Sequence, residues 1–153
     1  SKIYSYEPDS ENFVILNKNS PYSFNTQCAV VGDDSEFVDL YLNSKKNKGI
    51  HMTRKVNGRD SVQVKALNFD KIVKEVMPNK IKIDVEGAEY GFMPYVFPDY
   101  VEKLVMEIHF QYDPTWRAKG KAVHESMLQQ GFTSLRKFTD TGKNWHTLGA
   151  YSR

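Results

Sequence analysis

The residues best suited to chemistry lie in one short acidic segment, Asp84-Val85-Glu86-Gly87-Ala88-Glu89. It carries three carboxylates within six residues at the end of a predicted strand, together with a glycine that favours a turn. Carboxylates can accept a proton from a reacting group or hold a cation. Because charged groups taken out of water are tolerated only when they are paired, the segment predicts either a binding site or a structural cluster of ion pairs. The residues alone leave both readings open.

A second set of polar residues lies near the end of the next long predicted strand, Lys103–Phe110. The two-residue period of a strand places Glu107 and His109 on one face of it, and it places Lys82 and Asp84 on one face of the strand before it. If the two strands are neighbours, we expect Lys82 and Glu107 to pair as buried opposite charges. Asp84 and His109 are then expected near the mouth of the site.

A further acid, Glu7, follows the first predicted strand and precedes Pro8. Ligands of open α/β sheets bind outside the carboxyl ends of the strands, where an acid can accept both hydroxyls of a ribose. The alternative is that Glu7 only opens the helix predicted to begin at Asp9 or Ser10, because the helix dipole favours negative charge there. If the strands run parallel, we expect Glu7 to converge with the acidic segment at one edge of the sheet.

The elements that must position these residues alternate between strand and helix. Strand patterns are predicted at Lys2–Tyr6, Asn25–Val31, Glu36–Leu42, Ser61–Leu67, Lys80–Val85 and Lys103–Phe110. Helices are predicted from Asp9 or Ser10 to Asn19, after Asn68, at Ala88–Met93 and at Lys121–Gln130, and the hairpin arms at Phe132–Phe138 and Trp145–Tyr151. This order predicts an α/β fold whose sheet is mostly parallel and ends in an antiparallel hairpin.

Composition sets the remaining limits. The chain of 153 residues is the length of one domain, and its net charge of +2 indicates no field that would attract nucleic acid or an anionic membrane. The single cysteine, Cys28, excludes an internal disulfide, and the longest apolar run, Cys28–Val31, is too short to span a membrane. Without an apolar segment at the N-terminus, the expected location is the cytoplasm.

The acidic segment and its surroundings resemble a known family, the FkbM-type S-adenosylmethionine-dependent methyltransferases. The resembling residues are Lys2–Asp9, Asn12-Phe13, Ile81–Tyr90 and Glu107-Ile108-His109, in that order and at the family's spacing. The run Lys82–Glu89 is the most specific part. The resemblance implies a Rossmann-like class I methyltransferase sheet, formed by one domain over residues 1–153.

Carried over to this chain, the resemblance implies roles for individual residues. The implied cofactor contacts are Glu7 at the ribose hydroxyls with Pro8 beside it, Ala29 and Val30 flanking the adenine, and Asp84. The implied catalytic residues are Asp84, Glu86 and His109, with Asp84 or His109 assisting as a general base. The implied acceptor is a hydroxyl on a small molecule or a sugar, and a divalent metal held by carboxylates is left open, without a defined ligand set.

The chain departs from the family at its beginning. It contains no G-x-G sequence, and Lys2 already starts the second strand of the family's sheet, so we expect a methyltransferase domain truncated at its N-terminus. The absent strand would leave two sheet edges unpaired. Either Lys2–Tyr6 then closes directly onto Lys80–Val85, or a second copy of the chain pairs with the edges, and we favour the homo-oligomer. The alternative function is a non-catalytic remnant that serves as an interaction or structural module.

Three weaker features remain. The basic stretch between Asn43 and Asp60 could hold an anionic substrate, but a solvated loop is the favoured interpretation. His51 and His124 have no partners at ligand spacing and are expected at the surface. The aromatic residues Tyr112 and Trp116 could line an acceptor pocket, although packing at the edge of the core is the commoner use of such side chains.

Overall fold

The structure is a computed structural model that describes residues 1–43, 51–111 and 113–153. The chain divides into two compact units, Ser1–Val76 and Met77–Arg153, and both combine strands with helices. Within the described residues, no helix has the length and apolar character needed to cross a bilayer. The lysines at 45, 46 and 48 of the basic stretch, and Tyr112, lie outside the described residues.

In its described residues, 1–43 and 51–76, the first unit contains five strands and two helices. They are β1 (Tyr4–Tyr6), α1 (Ser10–Asn19), β2 (Phe24–Thr26), β3 (Ala29–Val31), β4 (Phe37–Tyr41), β5 (Ser61–Asn68) and α2 (Phe69–Val76). Strands β1 and β2 form a parallel pair, whereas β5 is paired in parallel with β3 and antiparallel with β4. The single strand predicted over Asn25–Val31 is thus interrupted at Gln27-Cys28, so that its first piece pairs with β1 and its second with β5.

Both helices of the first unit begin where the sequence predicts. The Asp9 side chain accepts hydrogen bonds from the backbone N–H groups of Glu11 and Asn12, at 3.1 and 2.9 Å. Asn68 caps α2 in the same way, through Oδ1 and the N–H groups of the first helical turn. A capping side chain satisfies backbone donors that have no partner inside the helix, which is why Asp and Asn mark these two starts.

The second unit is built on one four-stranded sheet. Its elements are β6 (Lys80–Ile83), a short 3₁₀ helix (Ala88–Gly91), β7 (Lys103–His109), α3 (Trp116–Gln129), β8 (Thr133–Ser134) and β9 (His146–Ser152). The strand order is β6-β7-β9-β8, with β6 parallel to β7 and the other two pairs antiparallel. The predicted C-terminal hairpin is confirmed by the pairing of β8 with β9.

The core of the second unit lies against one face of β7. Leu104, Met106 and Ile108 are 0% exposed and alternate with Glu107 and His109 on the other face, as the two-residue period predicts. Helix α3 begins five residues before the predicted start at Lys121, because its first turns also belong to its apolar face. The buried positions of this face are Trp116, Gly120, Val123 and Met127.

Two predictions are corrected by the strand pairing. The described strands form three sheets with three parallel and three antiparallel pairs, so the sheets are mixed rather than mostly parallel. The Rossmann-like arrangement of the whole fold stays a prediction. The buried pair of Lys82 and Glu107 is wrong, because the register places Lys82 beside Val105 and its side chain, 73% exposed, reaches Asp84 at 3.7 Å.

Candidate active site

The acidic segment turns sharply as it leaves β6. Glu86 and Gly87 both have left-handed backbone conformations, with φ angles of 50° and 97°. Such a conformation strains a residue with a Cβ atom, and a Cβ at Gly87 would also lie 2.3 Å from the ring of Trp116. The turn therefore requires glycine at this position, and it holds Glu86 in a conformation that is costly unless its surroundings fix it.

At the end of this turn, the carboxylate of Glu89 is completely buried and fixes the position of His109. Glu89 Oε2 accepts the N–H of Gly87 at 2.8 Å, and Oε1 accepts the backbone N–H of His109 at 2.8 Å. The same Oε1 lies 3.1 Å from His109 Nδ1. Because an ionised carboxylate only accepts, Nδ1 is the donor of this contact, and the imidazole is held with Nε2 directed away from Glu89.

Nε2 of His109 faces other carboxylates. Glu86 Oε2 lies 3.4 Å from it and Glu107 Oε1 lies 3.9 Å from it, although the His109 side chain is only 2% exposed. One oxygen each of Asp84 and Glu107 and one nitrogen of His109 lie within 4.8 Å of one another. We call Asp84, Glu86, Glu89, Glu107 and His109 the His109 cluster.

Two exposed basic side chains border the cluster. Glu107 Oε1 is 3.2 Å from Nε2 of His146, which follows from the register that pairs His109 with His146. Asp84 meets the exposed ammonium of Lys82. The cluster thus has a buried inner part at Glu89 and His109 and an accessible outer part at Asp84, whose side chain is 38% exposed.

Burial and neighbouring charges shift the pKa values of His109 and Glu86. Burial by itself lowers the pKa of His109, but the hydrogen bond and charge of Glu89, together with Glu86 and Glu107, leave this pKa above its usual value. Burial raises the pKa of Glu86; the imidazole of His109 opposes this shift, whereas Asp84, Glu107 and Glu89 add to it. Such perturbed groups are typical of functional sites.

In the first unit, Glu7 is half-buried directly after β1. Its Oε1 accepts the backbone N–H of Asp9 at 2.9 Å, and its own N–H donates to the carbonyl of Thr26. Burial raises the pKa of Glu7, whereas the Asp9 hydrogen bond and the nearby His51 oppose the shift. These contacts agree with the alternative in which Glu7 opens α1. Its role at a ribose stays a prediction.

The other predicted cofactor residues lie nearby in the sequence of the same unit. Pro8 is half-buried beside Glu7, and Ala29 is 2% exposed in β3, paired with Ala66. Val30 is half-buried and pairs with Leu67. The structure therefore brings Asp84, Glu86 and His109 together within the second unit, and the convergence of Glu7 with them stays a prediction.

Sequence reasoning missed two members of the cluster and misplaced two histidines. The sequence placed Glu107 on the same strand face as His109 but did not identify it as a site residue, and only the fold shows that the buried Glu89 contacts His109. His51, expected at the surface, is only 10% exposed in its side chain and accepts the N–H of Asn43 through Nδ1. His124 is likewise not a free surface residue, because it stacks on Phe138 with ring centroids 4.7 Å apart.

The aromatic residue beside the cluster is part of the core. Trp116 is 4% exposed and packs against Tyr90, with ring centroids 5.1 Å apart. The hydroxyl of Tyr90 donates to the carbonyl oxygen of His109 at 2.5 Å, and the carbonyl oxygen of Trp116 lies 3.1 Å from the same hydroxyl. Packing at the core, the favoured interpretation of Trp116, is therefore confirmed, and this packing holds the end of β7 against the start of α3.

Comparison with known proteins gives one match. The family model of the methyltransferase FkbM domain matches residues 1–134, which include Glu7 and all members of the His109 cluster. No match was found among curated proteins or among solved structures. Because the matched residues make up most of the 153-residue chain, the chain belongs to the FkbM methyltransferase domain family.

Proposed function

We propose that this chain transfers a methyl group from S-adenosylmethionine to a hydroxyl of a small-molecule or sugar acceptor. Membership of a methyltransferase family supports the type of reaction. The observation that carries the choice of a hydroxyl is the His109 cluster, in which a buried carboxylate fixes an imidazole beside further carboxylates. A hydroxyl is a poor nucleophile until its proton is removed, and such a group of acids and imidazole can remove it.

Within this proposal, Glu86 accepts the proton. Its side chain is 20% exposed, so it is accessible to an acceptor, and its Oε2 lies beside the ring of His109. The left-handed backbone at Glu86 is the kind of local strain that persists where the surrounding structure fixes a functional group. The Glu86 carboxylate would take the proton of the acceptor hydroxyl as the acceptor oxygen bonds to the methyl carbon, and the bond between that carbon and the cofactor sulfur would break in the same step, so that S-adenosylhomocysteine leaves.

The residues of the chain fit the cofactor chemically. S-adenosylmethionine supplies, when bound, an electrophilic methyl group on a positively charged sulfur. The net negative charge of the His109 cluster, to which Asp84 contributes, would favour this positive charge nearby. Glu7 would accept the ribose hydroxyls, since a carboxylate has about four acceptor positions, of which the Asp9 N–H and the Asn12 side chain occupy two. Pro8, Ala29 and Val30 would border the adenosine.

The experiment separates cofactor binding from chemistry. Calorimetric titration of S-adenosylmethionine into the full chain is expected to show one site. Transfer of a labelled methyl group is then measured with a panel of hydroxyl acceptors. Glu86→Gln is expected to bind the cofactor normally and to lose about 10²–10⁴-fold in transfer rate. The matched control Glu125→Gln removes the same charge from an exposed position of α3 and should change neither measurement.

Two results would contradict the proposal. One is a chain that does not bind S-adenosylmethionine at millimolar concentration, which would favour the non-catalytic module. The other is Glu86→Gln with undiminished transfer, which would leave the methyltransferase but reject Glu86 as the proton acceptor.

A further inference from the structure

The inference concerns Nε2 of His109, the ring nitrogen that does not contact Glu89. Its Nδ1 is engaged by the buried Glu89, and its Nε2 has carboxylate oxygens at 3.4 and 3.9 Å, longer than a good N–H···O hydrogen bond. Metal-ligating histidines almost always donate their other ring N–H to a carboxylate or a carbonyl, which fixes the ring. The contact of Glu89 with His109 has this form. A ring atom that is buried and directed at several carboxylates is thus already oriented for a cation.

The candidate ligand atoms of Asp84, Glu107 and His109 are close enough together to bind one metal ion. Asp84, Glu107 and His109 offer two oxygens and one nitrogen that lie within 4.8 Å of one another. An octahedral ion with bonds of about 2.1 Å places adjacent ligand atoms about 3 Å apart and opposite ones about 4.2 Å apart. The separation of 3.9 Å between His109 Nε2 and Glu107 Oε1 lies between these two values.

Charge gives an independent argument. Four carboxylates surround one imidazole in the His109 cluster, and two of the residues concerned, Glu89 and His109, are almost completely buried. The two basic side chains that border the cluster are exposed, Lys82 by 73% and His146 by 54%, so neither compensates the charge of its carboxylate partner strongly. Like charges held this close are destabilising unless a cation lies between them. A divalent ion at the centre supplies that charge.

We propose that Asp84, Glu107 and His109 bind one divalent metal ion, with Glu89 as the residue that orients the imidazole. Carboxylates favour Mg²⁺, Ca²⁺ and Mn²⁺, and an imidazole ligand favours Mn²⁺ among these. Three ligands from the protein leave coordination positions open. In a role that rests on the proposed function, the ion would hold the acceptor oxygen beside Glu86, so that the hydroxyl loses its proton more readily.

The test measures metal binding without any reaction. Mn²⁺ is titrated into the full chain, without cofactor or acceptor, and the free ion is measured by electron paramagnetic resonance. We expect one saturable site in the unaltered chain. Asp84→Asn and Glu107→Gln each remove a ligand and should weaken binding at least about 10-fold, and Glu89→Gln should weaken it about 10–100-fold through the orientation of His109.

Controls separate ligation from general charge and from misfolding. Glu125→Gln removes one negative charge from the same unit and should bind Mn²⁺ like the unaltered chain. Circular dichroism and urea unfolding show whether each variant is folded, and only folded variants enter the comparison. Two outcomes would overturn the metal site: absence of saturable binding in the unaltered chain, or binding by Asp84→Asn and Glu107→Gln that is as tight as in the unaltered chain.

The failures of the two proposals are distinguishable. Methyl transfer that continues in excess chelator, in a chain that binds no Mn²⁺, rejects the metal and leaves the proposed function intact. Saturable Mn²⁺ binding that depends on Asp84 and Glu107, in a chain that does not bind S-adenosylmethionine, supports the metal site and rejects the proposed function.

Discussion

The two units have nearly equal lengths but different interiors. In the second unit, β7 buries Leu104, Met106 and Ile108 completely, and the buried charged residues Glu89 and His109 lie beside them. In the first unit, α1 has no buried residue, and Leu67 of β5 is 42% exposed. The buried charged residues among the described ones are therefore found in the unit with more buried apolar residues, thirteen against seven.

This difference shows what a buried charge network requires. A carboxylate and an imidazole can be held without water only if every polar atom keeps a partner and the neighbours prevent other conformations. The packed face of β7 and the ring of Trp116 supply that constraint in the second unit. In the first unit, the acid Glu7 stays half-buried and bonds to the start of a helix, an arrangement that needs no dense core.

Leucine substitutions in the two units test most directly whether their apolar side chains differ in burial. Leu104→Ala in β7 removes a side chain that is 0% exposed, and we expect it to lower the free energy of unfolding by about 2–5 kcal/mol. Leu67→Ala in β5 should cost less than about 1 kcal/mol, because an exposed side chain leaves little cavity. Urea unfolding measures both, and equal losses would show that the two interiors are packed alike.

Glycine substitutions test whether a turn of the second unit is more tightly packed than a turn of the first unit. Gly87→Ala introduces a Cβ into the Trp116 ring at a φ of 97°, and the combined strain and overpacking are expected to cost about 2–4 kcal/mol. Gly58→Ala in the first unit has a φ of 78° but no atom within 4 Å of the new Cβ, so only the backbone strain of about 1–2 kcal/mol remains. If the two variants unfold at the same urea concentration, the ring does not constrain the turn.

A lysine substitution tests whether the second unit buries charges outside the His109 cluster. Lys82→Met should change the free energy of unfolding by less than about 0.5 kcal/mol, as expected of an exposed side chain. A buried partner of Glu107 would instead cost about 3–5 kcal/mol on removal. Denaturant unfolding of the variant distinguishes the two values, and a loss in the higher range would restore the buried pair.

The smallest expected effect is the pH dependence contributed by His124. Burial lowers the pKa of His124 below its usual value near 6.5, so the unfolded chain binds this proton more readily than the folded chain. Stability is therefore expected to fall as the pH drops through about 6.5 and to be fully present above it. His124→Phe keeps an aromatic ring against Phe138 and should reduce that fall, as urea unfolding at several pH values will show. A fall of unchanged size would exclude His124 as its source.

Local features of the fold were predictable because they depend on near neighbours in the sequence. Asp9 and Asn68 mark helix starts through bonds to the next two or three residues, and the alternation along β7 separates its apolar face from Glu107 and His109. The start of α3 was less predictable, since Trp116 belongs to the helix through its packing against Tyr90. Pairing partners of the short strands β1, β2 and β3 were beyond prediction, because three-residue strands carry little pattern.

The sequence by itself determined the family, the position of the acidic turn and the presence of acids and a histidine at the ends of β6 and β7. It did so because these properties depend on residue types and short spacings. Only the tertiary structure decided that Glu89 is completely buried, that its carboxylate fixes His109, and that Lys82 points to solvent instead of to Glu107. These outcomes depend on the register between β6 and β7 and on the packing of Trp116 over Gly87, which join residues about 20–30 positions apart in the chain.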